Sequence, residues 1–546
     1  TLFPYTTLFR SNGTRVGNER PANWRTDWAA KEKLRILDKE QPFDTNSILC
    51  ALCASVFQCS SRNWKHRGTE GTENGEGTPM NDPATNRPSR RRRWLLVLVL
   101  SPIVVGLIAV AVLGYGEYRS HREVTAEIAR LRAAGEPVDN ETLALWFQAG
   151  TSREGTAAWR DVLSAVEQVS SGETVNSFPI VGQGKLPEPL VPGAAWPDEP
   201  RIAEFLQEVG PLIAQIEQAG RYPAPVWQPI AFDGFSTLLP EIQASRGVTR
   251  LLHLEVLHAL YHGDTERALR GFAGMQATAA AFDWDFCIVA DLVGMALRGV
   301  HRDAIRKSLA DIHWDAPQLD QLLAQVQKPR DVAARWRRIC ASERAMALAM
   351  LQGSRDDLDG MLPSENSPHV PALLLFPSGM KKYLDTLAAF QQIGEPGVLG
   401  ILDRARTLEH ESVPPDTRRF DELVIRLLLP AMSALAGAYE RDELDRRLTR
   451  TALGVKRYRE SEGRWPARLS DLAAVGLEPQ DWTALQAGPF GYKIEGEDAV
   501  VWAYDAHDPG SPSRIRSEPP GEKDVSSAGL LWHVTRIGQG RRVTPE

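Results

Sequence analysis

RRRRWLLVLVLSPIVVGLIAVAVLGYGE, running from Arg90 to Glu117, sets how the rest of the chain must be read. Four arginines, Arg90 to Arg93, abut an apolar run, 94–116, that carries no charge. At helical rise this run is about 34 Å long, against a hydrocarbon core of roughly 30 Å. The apolar stretch of a cleavable signal peptide spans only about 7–15 residues. A small-x-small pair, Ala109 and Ala111, lies inside the run rather than after it. The expectation is an uncleaved signal anchor, with the lipid bilayer as its partner along 94–116. Positive charge stays on the cytoplasmic side. The basic tail 80–93 is then cytoplasmic, and everything from Glu117 faces the periplasm of a bacterial inner membrane. Membrane helices tolerate a proline such as Pro102, and Tyr115 and Tyr118 fall where interfacial aromatics belong.

Upstream of the arginines the chain reads differently. Thr1 to Ser11, TLFPYTTLFRS, resembles the translation of a sequencing adapter, and the first methionine is Met80. Segment 12–79 shows no sustained period of 3.6 or 2. Region 1–79 is therefore expected to be non-native and without a fold, with Met80 as the start. Cys50, Cys53, Cys59 and His66 offer soft ligands of the kind zinc takes, but the second half of the pattern departs from zinc-site spacing.

Downstream, the chain is long enough for substantial cores. The 63 basic and 70 acidic residues of the whole chain are mixed, leaving no electrostatic footprint for nucleic acid. The fold class expected is mainly α: a single N-terminal transmembrane helix, a helical-hairpin domain and a small α+β tail. The boundaries are 117–200 for juxtamembrane helices and a loop, 201–440 for the helical domain, and 441–546 for a long helix with the tail. Helical periodicity predicts a helix capped by Asn140, a second over 151–169, and another over 201–219. A helix-rich region runs from Glu241 to Met350, with breaks at Gly263, Asp283 and Trp314 to Pro317. Segment 421–460 reads as one helix or as two broken near Pro430. Leu444, Leu448, Ala452 and Val455 share one face of it. Two short strands, 491–494 and 499–504, flank the turn Glu495-Gly496-Glu497-Asp498, and 530–537 can add a third. Cys287 and Cys340 sit among apolar helical neighbours and read as two buried thiols rather than a disulfide.

Three stretches occur in order: LRAAGEPVDNETL, LLHLEVLHALYHGDTERAL, and LVIRLLLPAMSALAGAYERDELDRRLTRTALGVKRYRESEGRWPARLSDL. Together they resemble a large, functionally uncharacterised family of membrane-anchored bacterial helical proteins. Gly263-Asp264 with Ala268 and Phe272 resembles the turn and second helix of a tetratricopeptide hairpin, although Val256, Met275 and Ala280 depart from that pattern. Tyr458-Arg459, Gly463, Pro466, Leu469 and Leu472 are similar to the globular end of type II secretion pseudopilins. Some pseudopilins bind calcium in their last loop, and Asp505 and Asp508 occupy a comparable place.

Motifs with assigned chemistry are missing. No Gly-x-Ser-x-Gly elbow, phosphate loop or dinucleotide-binding glycine pattern occurs. Glu255, His258 and His262 fall at i, i+3 and i+7 on one helix face, a weak metal-ligand candidate or else a polar stripe. No cofactor is expected. The leading expectation is a non-enzymatic scaffold or binding protein with a protein partner. The alternatives are a component linked to type II secretion or pilus-like assembly, and a metal-dependent enzyme.

Overall fold

The computed structural model describes residues 90–170, 172, 174–186, 194–326, 329–352, 377–412, 423–485, 488–503 and 533–538. Of these, 90–100, 102, 109–110, 112–113, 350–352, 377, 423–424, 426–428, 503 and 533–534 are described as backbone only. The chain divides into two units, Thr1–Val104 and Val105–Glu546. The described part of the first is the start of helix α1 (Arg90–Ala133). Among the described residues no helix is long and apolar enough to cross a membrane. Many side chains of the expected span, 94–116, lie outside those described. The ones that are described stand exposed, including Ile103, Leu107 and Ile108.

The second unit is mainly helical with a small sheet, as the periodicity predicts. The end of α1 belongs to it: Leu131 is buried and Glu123 reaches Lys381. Helix α2 (Asn140–Ala149) starts one residue earlier than the sequence reading allows, because Asp139 is the cap. The Asp139 carboxylate accepts from the Thr142 N–H, and the Thr142 hydroxyl in turn accepts from the Asp139 N–H. After α3 (Thr156–Ser170), the expected single helix over 201–219 is two, α4 (Glu199–Glu208) and α5 (Gly210–Ala219). Pro211 explains the split, since it has no N–H to continue the ladder and suits a first helical turn.

Helices α6 (Pro240–Tyr261) and α7 (Thr265–Ala281) form a tight hairpin. Gly263 turns the chain at φ +71, a conformation that a Cβ disfavours, and the Asp264 carboxylate caps α7. A Cβ on Gly271 would lie 2.6 Å from the Val256 side chain, so glycine sets the approach of the pair. Then follow α8 (Ile288–Asp311), α9 (Ala316–Gln325), α10 (Val332–Gln352), α11 (Pro377–Ile393) and α12 (Ile401–Ser412). Helix α12 has no counterpart in the sequence reading. The last helix, α13 (Leu423–Glu462), is continuous, with Pro430 inside it and exposed.

A short pair, β1 (Thr483–Ala484) and β2 (Gly488–Pro489), precedes an antiparallel sheet of order β3 (Gly491–Glu495), β4 (Asp498–Ala503), β5 (His533–Ile537). Gly491 pairs with Trp502, and a Cβ there would collide with the indole at 1.9 Å.

Two apolar clusters hold this unit. One joins α2 to α9, the C-terminal half of α13 and the sheet, and includes Trp159, Phe272, Leu448, Val455 and Val501. The other gathers Leu131, Trp336, Phe390, Leu402, Met432 and Leu435 from α1, α10, α11, α12 and the first half of α13. The first cluster runs across residue 440. Charges are buried between elements. The Asp445 carboxylate accepts from Arg302 Nε at 2.6 Å and from Arg306 Nη1 at 2.5 Å. Burial pushes the Asp283 carboxyl up, but Arg298, Arg330 and Arg335 together hold it well below the usual carboxylate range. Cys287 and Cys340 are buried free thiols, pushed above the ordinary thiol range by burial.

Candidate functional site

The C-terminal end of α6 and the start of α4 bring together the one group of potential metal ligands found among the described residues: Glu199, His258 and His262. His258 and His262 are one helical turn apart, so their rings project from the same face. They lie 4.6 Å apart between ring centroids. Glu199 opens α4, where a carboxylate complements the helix dipole. Its Oε1 lies 3.1 Å from His258 Nε2 and 2.9 Å from His262 Nε2. The segment before α4 is tied to the hairpin, because the Tyr261 hydroxyl donates to the Ala194 carbonyl at 2.7 Å. Trp196 packs edge-on against Tyr261. Its indole N–H is buried without a hydrogen-bond partner among the described residues.

Glu255 is not part of this group. Arg267 of α7 holds it through two N–H donors, one of them Nη2 to Oε2 at 2.6 Å. The same guanidinium places Nη1 3.3 Å from His258 Nδ1. A ring whose Nδ1 accepts from arginine carries its hydrogen on Nε2, which then donates to Glu199. Burial lowers the His258 pKa, and the Glu199 hydrogen bond offsets part of that. The hydrogen bond from His262 holds the Glu199 carboxyl below its usual range, against the upward push of burial.

The structure therefore joins His258 and His262 from the sequence triad and replaces Glu255 with Glu199. Sequence spacing could not supply Glu199, because it lies 59 residues from His258 and is brought in by tertiary packing. The i, i+4 histidine pair was the available signal. The calcium candidates Asp505 and Asp508 lie outside the described residues, as do Cys50, Cys53, Cys59 and His66.

Glu343 and Arg344, adjacent on α10, have separate partners. Glu343 accepts from the Ile288 N–H at 2.8 Å, and Arg344 pairs with Glu136. Buried Lys456 donates to the Gly538 carbonyl, and burial pushes its pKa down to about 8. An open cavity of about 200 Å³, lined by Leu145, Phe147, Trp227 and Phe232, is smaller than the roughly 300–1,000 Å³ of ordinary ligand pockets. No protein-family model, curated protein or solved structure matches the chain.

Proposed function

We propose that this chain is a membrane-tethered helical scaffold or binding protein, with its body on the periplasmic face of a bacterial inner membrane. The observation that carries the reading is helix α1, which continues from four arginines through an uncharged stretch into a charged segment packed on the body. Exposed aliphatic side chains at Ile103, Val105 and Leu107 suit a hydrocarbon solvent better than water. The positive end assigns the cytoplasmic side. The helical hairpin α6–α7, with its tetratricopeptide-like turn, fits a body that offers broad surfaces to a protein partner. A reporter fused after Glu546 tests the orientation. Alkaline phosphatase should be active there and a fluorescent protein dark, and the opposite pattern overturns the reading.

A role linked to secretion or pilus-like assembly is the second reading. Its support is the run from α13 through Gly463 and Pro466 into an antiparallel sheet, the order seen in pseudopilin ends. Ile494 is exposed on β3. Ile494→Asp should impair secretion if this surface docks, and unchanged secretion removes the reading.

A further inference from the structure

We propose that Glu199, His258 and His262 bind one divalent first-row transition-metal ion, through the Glu199 carboxylate and both Nε2 atoms. Two imidazoles and a carboxylate form a borderline donor set that suits zinc and its neighbours rather than calcium or magnesium. The three ligand atoms all lie within 4.8 Å of one another. Metal–ligand bonds of about 2.0–2.2 Å in tetrahedral array put neighbouring ligand atoms about 3.3–3.5 Å apart. The Glu199–histidine separations of 2.9 and 3.1 Å open by a few tenths of an ångström, while the two histidine nitrogens, within 4.8 Å, draw together toward that spacing.

The surroundings favour this occupant. Both histidines stand at the end of a helix fixed by the Gly263 turn and the Asp264 cap. A guanidinium so near would ordinarily repel a dication, but Arg267 is neutralised by its two bonds to Glu255. Metal uptake removes the hydrogen from Nε2 of both rings, and each carries it at Nδ1 instead, His258 giving up the long Arg267 contact, so both imidazoles bind as neutral ligands. The His262 side chain is 47% exposed, which gives an ion a path in and leaves a coordination position toward solvent. Three protein ligands with an open position is the arrangement of a reactive site rather than a closed structural one.

The test uses the full chain in detergent, stripped with chelator, dialysed against Zn²⁺ and measured for bound metal. Wild type should hold one equivalent more than His262→Ala and one more than Glu199→Gln. Using the difference removes any contribution from Cys50, Cys53, Cys59 and His66. Circular dichroism checks that His262→Ala, a half-exposed change, keeps its helix content. Should it fail to fold, Glu199→Gln, which keeps size and one acceptor, decides. Substituted Co²⁺ should show ligand-field bands without thiolate charge transfer for the equivalent that the variants lose. Equal metal content in wild type and in the folded variants overturns the proposal, as does a lost equivalent that carries thiolate bands.

Discussion

Helix α1 exposes aliphatic side chains, with Val105 at 65% and Leu107 at 64%, while helix α13 buries charged ones, with Asp445 at 7% and Lys456 at 0%. Hydropathy alone would assign the two the other way round. The difference shows that burial follows the partners available. Asp445 stays inside because two guanidiniums and their hydrogen bonds offset its lost hydration. Among the described residues the α1 aliphatics show no such packing, and Ile103, Val105 and Leu107 stand exposed.

Removing one side of a buried pair should break this contrast most forcefully. Asp445→Ala removes the carboxylate that Arg302 and Arg306 share, leaving Asp442 to one and Thr449 to the other, and is expected to cost about 3–5 kcal/mol in urea unfolding of the detergent-solubilised chain. A loss no larger than that of an exposed pair, below about 1 kcal/mol, would mean that water reaches the site. Next in size is Leu107→Arg. A central arginine costs about 2.5–3.5 kcal/mol on insertion scales, so the membrane-bound fraction should fall while the unfolding midpoint of the body holds. Unchanged partition after alkaline carbonate extraction would refute the tether.

Glu343 sharpens the comparison, because backbone rather than arginine satisfies it. Burial pushes its carboxyl up to about 7, and the Ile288 N–H opposes this. The folded state thus keeps a proton that the unfolded chain releases near 4.5. The resulting stabilisation is full below about 4.5 and is lost as pH rises through about 7. His253 and His301, lowered to about 4 chiefly by burial, act oppositely over much of that range. The informative quantity is therefore wild type minus Glu343→Gln, which should decline in thermal midpoint between about pH 5 and 8. A flat difference would show that the carboxylate is already charged when buried. The smallest effect belongs to Arg119→Ala. Its 2.8 Å ion pair with Glu123 is solvent-exposed on α1, and the melting midpoint should not move measurably.

Local chemistry explains which parts of the fold could be read in advance. The face of Leu444, Leu448, Ala452 and Val455 is buried as the 3.6 period requires. The turn at Glu495 to Asp498 joins the two strands expected, and His533–Ile537 supplies the third. The breaks at Gly263 and Trp314 also fall between helices. What escaped depends on distant groups or on a subtle balance. Pro430 could have ended α13, yet the helix continues through it. Helix α12 has a short apolar face, Ile401, Leu402 and Ala405, that becomes recognisable only against α13. At the candidate site the histidine pair was visible in the spacing. Its carboxylate was not, because Glu255 was nearer in sequence and is occupied by Arg267.

Helix α13 contributes Met432 and Leu435 to one apolar cluster and Leu448 and Val455 to the other. Neither cluster can melt while the other keeps that rod rigid, short of fraying it in the middle. Heat should therefore dissolve both in one cooperative step, with calorimetric and van't Hoff enthalpies in agreement. Evolution could then vary surface loops freely, but insertions into the shared rod would shift both halves out of register at once.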